Sequence, residues 1–423
     1  SGLLFTPLRE TAMESKETIY IVGAGISGLI AAFELEKAGY APIVLEKSNG
    51  VGGRVRTVSL GDHHLDIGFQ VLLDGYPMAK KYLDYDALNL RRLASGAQIY
   101  VDGRRFVIGD PLRDFKMLIP TVTAKIGSVG DKIKVLRLNA RMKRKSIDEI
   151  FAGEEMTTLE YLRKFGFSEV IIDRFFKPFF AGIFLEPELR TSSRMFEFVY
   201  KMFGEGYATI PSAGIGAISE QLQNKLKTTE FRFGAEVSSV TSEKIVLKSG
   251  EEMDHSGVII TADASSLISN MQGQGTDWKS CMCLYFEIGS SNLPKETIGL
   301  VADPEKLVNN LYGYTDATGR HILSATVLEF NGKSEKEITA KVEDEIREYC
   351  SVGALTHIGN FHIEQALPDL SNLKMTAEPS ESLLMENVFL AGDVLYNGSL
   401  NAAMESGRLA AEGLLEKKTG ILI

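Results

Sequence analysis

The stretch IYIVGAGISGLIAAFELEKAGYAPIVLEK, residues 19–47, leaves few folds open to this chain. A short apolar run, Ile19 to Val22, opens onto Gly23-x-Gly25-x-x-Gly28. An apolar, helix-like segment follows, and a second apolar run from Ala41 to Leu45 ends at Glu46. Strand, glycine turn, helix and a second strand with an acidic end are the parts of a dinucleotide-binding βαβ unit. The three glycines do different things. Gly23 makes the turn, Gly25 lets backbone approach a pyrophosphate, and Gly28 lets helix pack closely on strand. The first helical residues, Ile26 and Ser27, bring unpaired N–H groups to the same point. Glu46 is placed to accept both hydroxyls of an adenosine ribose, which counts against NADP and leaves NAD and FAD.

The next segment favours the longer cofactor. In KSNGVGGRVRT, Lys47 and the turn residues Gly52 and Gly53 precede Arg54. A second glycine turn with a guanidinium can share phosphate charge along an extended dinucleotide. HHLDIGFQ then supplies Asp66, which also reads as a simple turn residue, and Gly68, Phe69 and Gln70, where backbone can come close to a ring. Near the other end, a short strand Val388 to Leu390 runs into Gly392-Asp393 and then a helix containing Ala402, Ala403 and Gly407. Asp393 is suited to a polyol such as ribityl. The helix start, with Ser399, Asn401, Ala402 and Met404, is suited to aiming backbone donors at an isoalloxazine edge.

With these blocks in view the chain resembles the flavin-containing amine oxidase superfamily, which embraces protoporphyrinogen oxidases and carotenoid desaturases. The resemblance rests on VGAGISG, Glu46, GVGGRVRT, LDIGFQ, AEVSSV, VIITAD, EQALP and LAGDVLYNGSLNAAMESG. It implies that Gly23, Gly25 and Gly28 cradle the FAD pyrophosphate, that Glu46 binds the adenosine ribose, and that Arg54 lies beside the phosphates. It further implies that the backbone of Val237 meets the adenine, that Asp393 contacts the ribityl chain, and that the Met404 N–H faces the flavin pyrimidine edge. Relatives that tether flavin carry a cysteine near the last flavin segment. Cys281, Cys283 and Cys350 lie elsewhere, so the FAD is expected to be noncovalent. Where several relatives have a tryptophan before EQALP, this chain has His362 and Ile363.

The implied architecture is an α/β fold in which a Rossmann-like FAD-binding domain is interleaved with a mixed α+β substrate-binding domain. Its expected parts are a tail at 1–16, beginning with an expression remnant, then FAD-binding segments at 17–85, 205–270 and 385–418. Substrate-binding segments at 86–204, largely helical, and 271–384 alternate with these, and 419–423 form a terminal tail. Asp102-Gly103 reads as a hairpin turn, helical patterns run from Leu112 to Phe203, and Glu335 to Cys350 reads as a helix. GIGAIS, residues 214–219, lacks the third glycine and a strand leading straight into it, which argues against a second nucleotide site.

The implied chemistry is oxidation of a C–N or C–C bond by hydride transfer to flavin, with an amine or an apolar substrate and oxygen or another electron acceptor. A catalytically inert flavin-binding scaffold is the alternative. His362, Tyr396, Tyr207 and Lys279 are the candidate catalytic side chains. Phenylalanines in DRFFKPFFAGIFLEP read either as core or as the lining of an apolar channel. A net charge of -10 argues against nucleic-acid binding. One basic run, Asp131 to Ser146, reads as a solvated helix face or as peripheral contact with an anionic membrane through Ile133, Leu136, Leu138 and Met142. The cysteines and histidines lack metal-site spacing, no apolar run reaches the ~20 residues of a spanning helix, and a cytoplasmic location is expected.

Overall fold

A computed structural model describes residues 17–94, 96–109, 126–330 and 332–420. The expected amino-terminal remnant and the first part of the helical stretch after Leu112 lie outside the described residues.

Three distant parts of the chain build one sheet. Its six strands run in the order Glu230–Phe233, Ile43–Glu46, Ile19–Val22, Gly257–Ile260, Val388–Leu390 and Leu383–Met385. The first five are mutually parallel and the last is antiparallel. Ile19–Val22 is buried throughout because both of its faces are covered, and it reads accordingly as a continuous apolar run. The helix Ile26–Lys37 lies on one face beside Leu400–Lys418. Their approach depends on Gly407, where a Cβ would stand 2.2 Å from the Ser27 carbonyl oxygen.

A second sheet of seven strands runs Leu355–Pro368, Trp278–Ile288, His321–Val327, Val308–Thr315, Thr297–Val301, Ala97–Val101 and Arg104–Ile108. The last two strands meet at Asp102-Gly103, both with positive φ (52° and 65°), as a tight hairpin requires. Residues alternate between faces along Trp278–Ile288. Met282, Leu284 and Phe286 join Ile338, Val342 and Ile346 of the helix Glu335–Cys350, whereas Cys283 and Tyr285 pack on the other side with Leu65.

Three smaller sheets and a helical layer accompany these two sheets. The helical layer includes Val129–Arg144, a π-helical turn Ile172–Phe176, Lys177–Phe184 and Ser193–Glu205. The basic helix Val129–Arg144 turns Val135, Leu138 and Met142 inward. That corrects the expectation that Leu138 and Met142 touch a membrane, since both are committed to the core. Of GIGAIS, residues 214–216 form a turn and residues 217–219 already belong to the helix Ala217–Lys225. Among the described residues no helix is long and apolar enough to cross a membrane.

Candidate functional site

One cavity of about 1000 Å³ opens at the carboxyl ends of the parallel strands and extends beneath the helical layer. Its nucleotide end is built by the glycine turn. Gly23 has φ +104°, and a Cβ there would strike the Thr261 hydroxyl at 2.5 Å; Thr261 Oγ1 in turn donates to the Val22 carbonyl at 2.8 Å. A Cβ on Gly25 would meet nothing within 4 Å, because Gly25 faces the cavity. Gly28 does not line it. A Cβ there would lie 2.1 Å from the Gly23 carbonyl oxygen, so this glycine serves helix-to-strand packing. The helix starting at Ile26 has no side-chain cap, and Ile26 and Ser27 both line the cavity. Its first N–H groups are thus presented to an anion.

Glu46 is largely buried and holds two backbone amides. Oε2 accepts from Ala24 N and Oε1 from Ser48 N, each at 2.8 Å. These bonds tie the glycine turn to the end of the second strand and keep the carboxylate aimed along the cavity wall. Lys47, Gly52, Gly53, Gly68, Phe69, Gln70 and Val237 also line it. Gln70 Nε2 donates to the Arg54 and Ile67 carbonyls at 2.8 and 2.9 Å, fixing the segment that carries Gly68.

The first and last segments meet directly. Arg54 grips Asp393 with two hydrogen bonds, Nη1 to Oδ2 at 3.0 Å and Nη2 to Oδ1 at 2.5 Å, while its guanidinium lies 5.0 Å from the Trp278 ring centre. Ser406 Oγ accepts from Gly392 N at 2.8 Å and stands 3.3 Å from Ser27 Oγ. Sequence reasoning passed over Thr261 and Ser406. Thr261 stands at the end of an apolar strand, the one local signal available. It also left Asp66 open as a turn residue. That carboxylate instead ends a strand and accepts from Thr57 Oγ1 at 2.6 Å and Ile215 N at 2.9 Å. Burial raises its pKa above the ordinary carboxylate range despite these bonds.

At the carboxyl-terminal helix, Ser399, Leu400 and Ala403 line the cavity, but Asn401, Ala402 and Met404 do not. The helix begins at Leu400, so Met404 falls in its second turn, fully buried. This corrects the expectation that the Met404 N–H faces a ring. Asn401 Oδ1 accepts from Met78 N at 2.9 Å, and Ala402 N donates to Ser399 Oγ at 3.0 Å. Both groups are spent on structure.

Of the four candidate catalytic side chains, Lys279 alone lines the cavity. His362 is exposed, edge-on to Phe330, because strand alternation turns Ile363 and Gln365 to the cavity instead. Tyr396 packs with Ala402 and Leu409, and burial pushes its phenol up to about 12. Tyr207 lies outside the lining, its ring 3.8 Å from the Arg92 guanidinium. These three expectations are corrected by the direction each side chain takes.

The far wall is apolar, with Phe179, Ile183, Phe184, Met195, Val199 and Phe203. Phe176 and Phe180, on the same helical run, are buried in the core. The phenylalanine segment therefore does both things its sequence allowed: Phe179 turns to the cavity, Phe176 and Phe180 to the core, and Phe184 touches both. All three cysteines are free and buried; Cys281 and Cys283 border the cavity, and burial raises both thiols to about 12. Among the described residues no cluster of three His, Cys, Asp or Glu side chains could hold a metal ion.

A parallel sheet with a glycine cradle at its strand ends, joined to a second sheet over one cavity, defines a dinucleotide-cofactor protein of mixed α/β class. Residues 26–415 match the family described as flavin containing amine oxidoreductase, and the chain belongs to that family. It is 27% identical over 170 residues to protoporphyrinogen oxidase 2, chloroplastic/mitochondrial, of Arabidopsis thaliana, which is 40% of this chain and 32% of that protein. It is 40% identical over 80 residues to an L-amino-acid oxidase of Sistrurus catenatus edwardsii, covering 19% of this chain and 16% of that one. The chain thus spans a third or less of the length of these curated relatives. The crystal structure of an oxidoreductase from Methanosarcina mazei shares the fold, with a TM-score of 0.72, 15% identity, and coverage of 93% of this chain and 100% of that one.

Proposed function

We propose that this chain is an FAD-dependent oxidoreductase that dehydrogenates a C–N or C–C bond of a largely apolar small molecule. The observation that carries the reading is the single cavity running from the cradle of Gly25 and Glu46 to the wall of Phe179 and Phe184. A dinucleotide held at one end can therefore present its ring to a substrate at the other. FAD, when bound, supplies the acceptor for a substrate hydride. The chain's residues supply binding and orientation. Gly25 gives a phosphate close access to backbone, the uncapped helix start at Ile26 and Ser27 offers N–H donors, and Glu46 offers its remaining lone pairs to ribose hydroxyls. Arg54 and Asp393 close the floor between the two chain ends. The phenylalanine wall excludes water from the substrate half.

Retention of FAD without a covalent bond fits the same geometry. A buried thiol with its pKa near 12 is almost wholly protonated at neutral pH, which leaves Cys281 and Cys283 poor nucleophiles. The parallel sheet, drawn from residues 19–46, 230–260 and 383–390, supports the assignment of 17–85, 205–270 and 385–418 to the cofactor. The test is anaerobic. FAD-loaded protein is mixed with alkylamines, conjugated polyenes or porphyrinogens, and the flavin absorption band is followed. Bleaching by one class identifies the bond oxidised, and a fully loaded protein bleached by none refutes the proposal.

A further inference from the structure

The charged residues that line the cavity divide by position. Glu46, Lys47, Glu236 and Asp263 stand at the nucleotide end, beside the strand ends, and Arg54 and Asp393 neutralise each other in a bidentate pair. Among the described lining residues the one remaining charge is Lys279, whose carboxylate partner, Asp369, stands outside the lining. It lies at a break in register between Lys279 and Cys281, where Trp278–Ile288 pairs with Leu355–Pro368. Such a break re-aims a side chain locally.

The Lys279 side chain is 11% exposed. Its Nζ donates to Thr191 Oγ1 at 3.1 Å, and the Thr191 hydroxyl donates onward to Glu186 Oε1 at 3.0 Å. Glu186, 4% exposed, also accepts from Thr191 N at 2.9 Å; because the hydroxyl proton of Thr191 is committed to Glu186, its oxygen is an acceptor toward lysine. Asp369 Oδ1 stands 3.5 Å away, but that carboxylate is 55% exposed and does not line the cavity. An ammonium has three N–H groups, so the arrangement leaves donor capacity for a ligand.

We infer that Lys279 recognises the anionic head of the substrate, and that the substrate class is an apolar molecule carrying a carboxylate, as opposed to an amine cation. An ammonium group entering the same space would meet a like charge and no acidic lining residue in that half. The inference rests on the proposed oxidoreductase reading of this cavity, but its test reads binding and not flavin reduction.

FAD-loaded protein is titrated with cis-parinaric acid and with its methyl ester, following probe fluorescence, and bound acid is then challenged in parallel with dodecylamine and with dodecanoate. The acid is expected to bind about 10-fold or more tightly than the ester, as a charge-assisted hydrogen bond in a partly dry site provides. Lys279→Met should abolish that preference while leaving ester binding and flavin content unchanged, and Lys279→Arg should keep it. Asp369→Asn, at an exposed position, should raise the preference by removing a competing charge. Equal binding of acid and ester, a preference that survives Lys279→Met, or displacement by dodecylamine more readily than by dodecanoate would overturn the inference. Failure of every substrate to bleach the flavin would remove the oxidoreductase proposal while leaving this result standing.

Discussion

Alanine at Gly25 and alanine at Gly28 should have opposite consequences, although the two glycines share one motif. Gly25 has φ -72° and open space around its added methyl, so the fold accommodates alanine there. Loss of glycine freedom in the unfolded chain favours the variant by about 0.4–1 kcal/mol, and the poorer helix N-cap opposes it by roughly 0.5–1.5 kcal/mol. The net change in stability is therefore within about 1 kcal/mol. The methyl instead enters the space next to the helix start, and displacing a phosphate there should cost on the order of 1–3 kcal/mol, roughly 10- to 100-fold in FAD affinity. At Gly28 the methyl would lie 2.1 Å from the Gly23 carbonyl oxygen and 3.3 Å from Ile21 Cγ2, and backbone must move. Overpacking of that kind costs about 3 kcal/mol. With roughly 2 cal/mol/K of unfolding entropy per residue, a chain of 423 residues shifts its melting temperature by about 1 °C per kcal/mol. Calorimetry of the apoproteins should place Gly25→Ala within about 1 °C of the parent and Gly28→Ala about 3 °C below it. Flavin titration should show the large loss at Gly25→Ala. A Gly25→Ala protein that binds FAD as the parent does, or melts below Gly28→Ala, would refute the reasoning.

Glu46→Gln should weaken FAD binding by about 10-fold, because an amide cannot accept from both Ala24 N and Ser48 N and leaves one buried donor unmet; fluorescence titration checks it. Arg54→Met strips Asp393 of its bidentate partner, and since Arg54 is partly exposed the expected loss of apoprotein stability is about 1–2 kcal/mol, read by urea unfolding. Raising pH should destabilise the protein through Cys281 and Cys283. Thiols in the unfolded chain ionise near their ordinary 9, whereas burial holds the folded ones protonated to about 12, so stability falls as pH rises across that window. A disulfide reagent at pH 8 should accordingly label these two only as fast as the chain unfolds; immediate labelling of native protein would contradict their burial.

How far the sequence could be read depended on how local each decision was. The glycine turn is legible because its φ, the contact of Gly28 with the Gly23 carbonyl and the helix start are settled within ten residues, whereas the Gly23 contact with Thr261 is not. The helix Glu335–Cys350 was equally clear, since Ser334 and Glu337 cap it reciprocally. His362 was misjudged because its direction depends on the register of Leu355–Pro368 against Trp278–Ile288, a pairing made about 80 residues away. Met404 failed for a related reason. The helix starts at Leu400, held there by the Ser399 cap, and the motif alone did not say which residues of the first turn would face inward. Lys279 is one of four candidates in the sequence, and only the fold shows it on the cavity wall.

The seam between the helices Ile26–Lys37 and Leu400–Lys418 has a consequence for the order of events during synthesis. Gly407 lies against Ser27 and Asp393 is clasped by Arg54, so each of these early residues waits for a partner made more than 300 positions later. A nascent chain still inside the ribosome at residue 380 has its glycine turn but neither the strand Val388–Leu390 nor the floor beneath the cavity. Capture of the cofactor should therefore wait until residues 388–407 have been made, and before that the nascent protein should expose the edge of Gly257–Ile260 to chaperones until Val388–Leu390 docks.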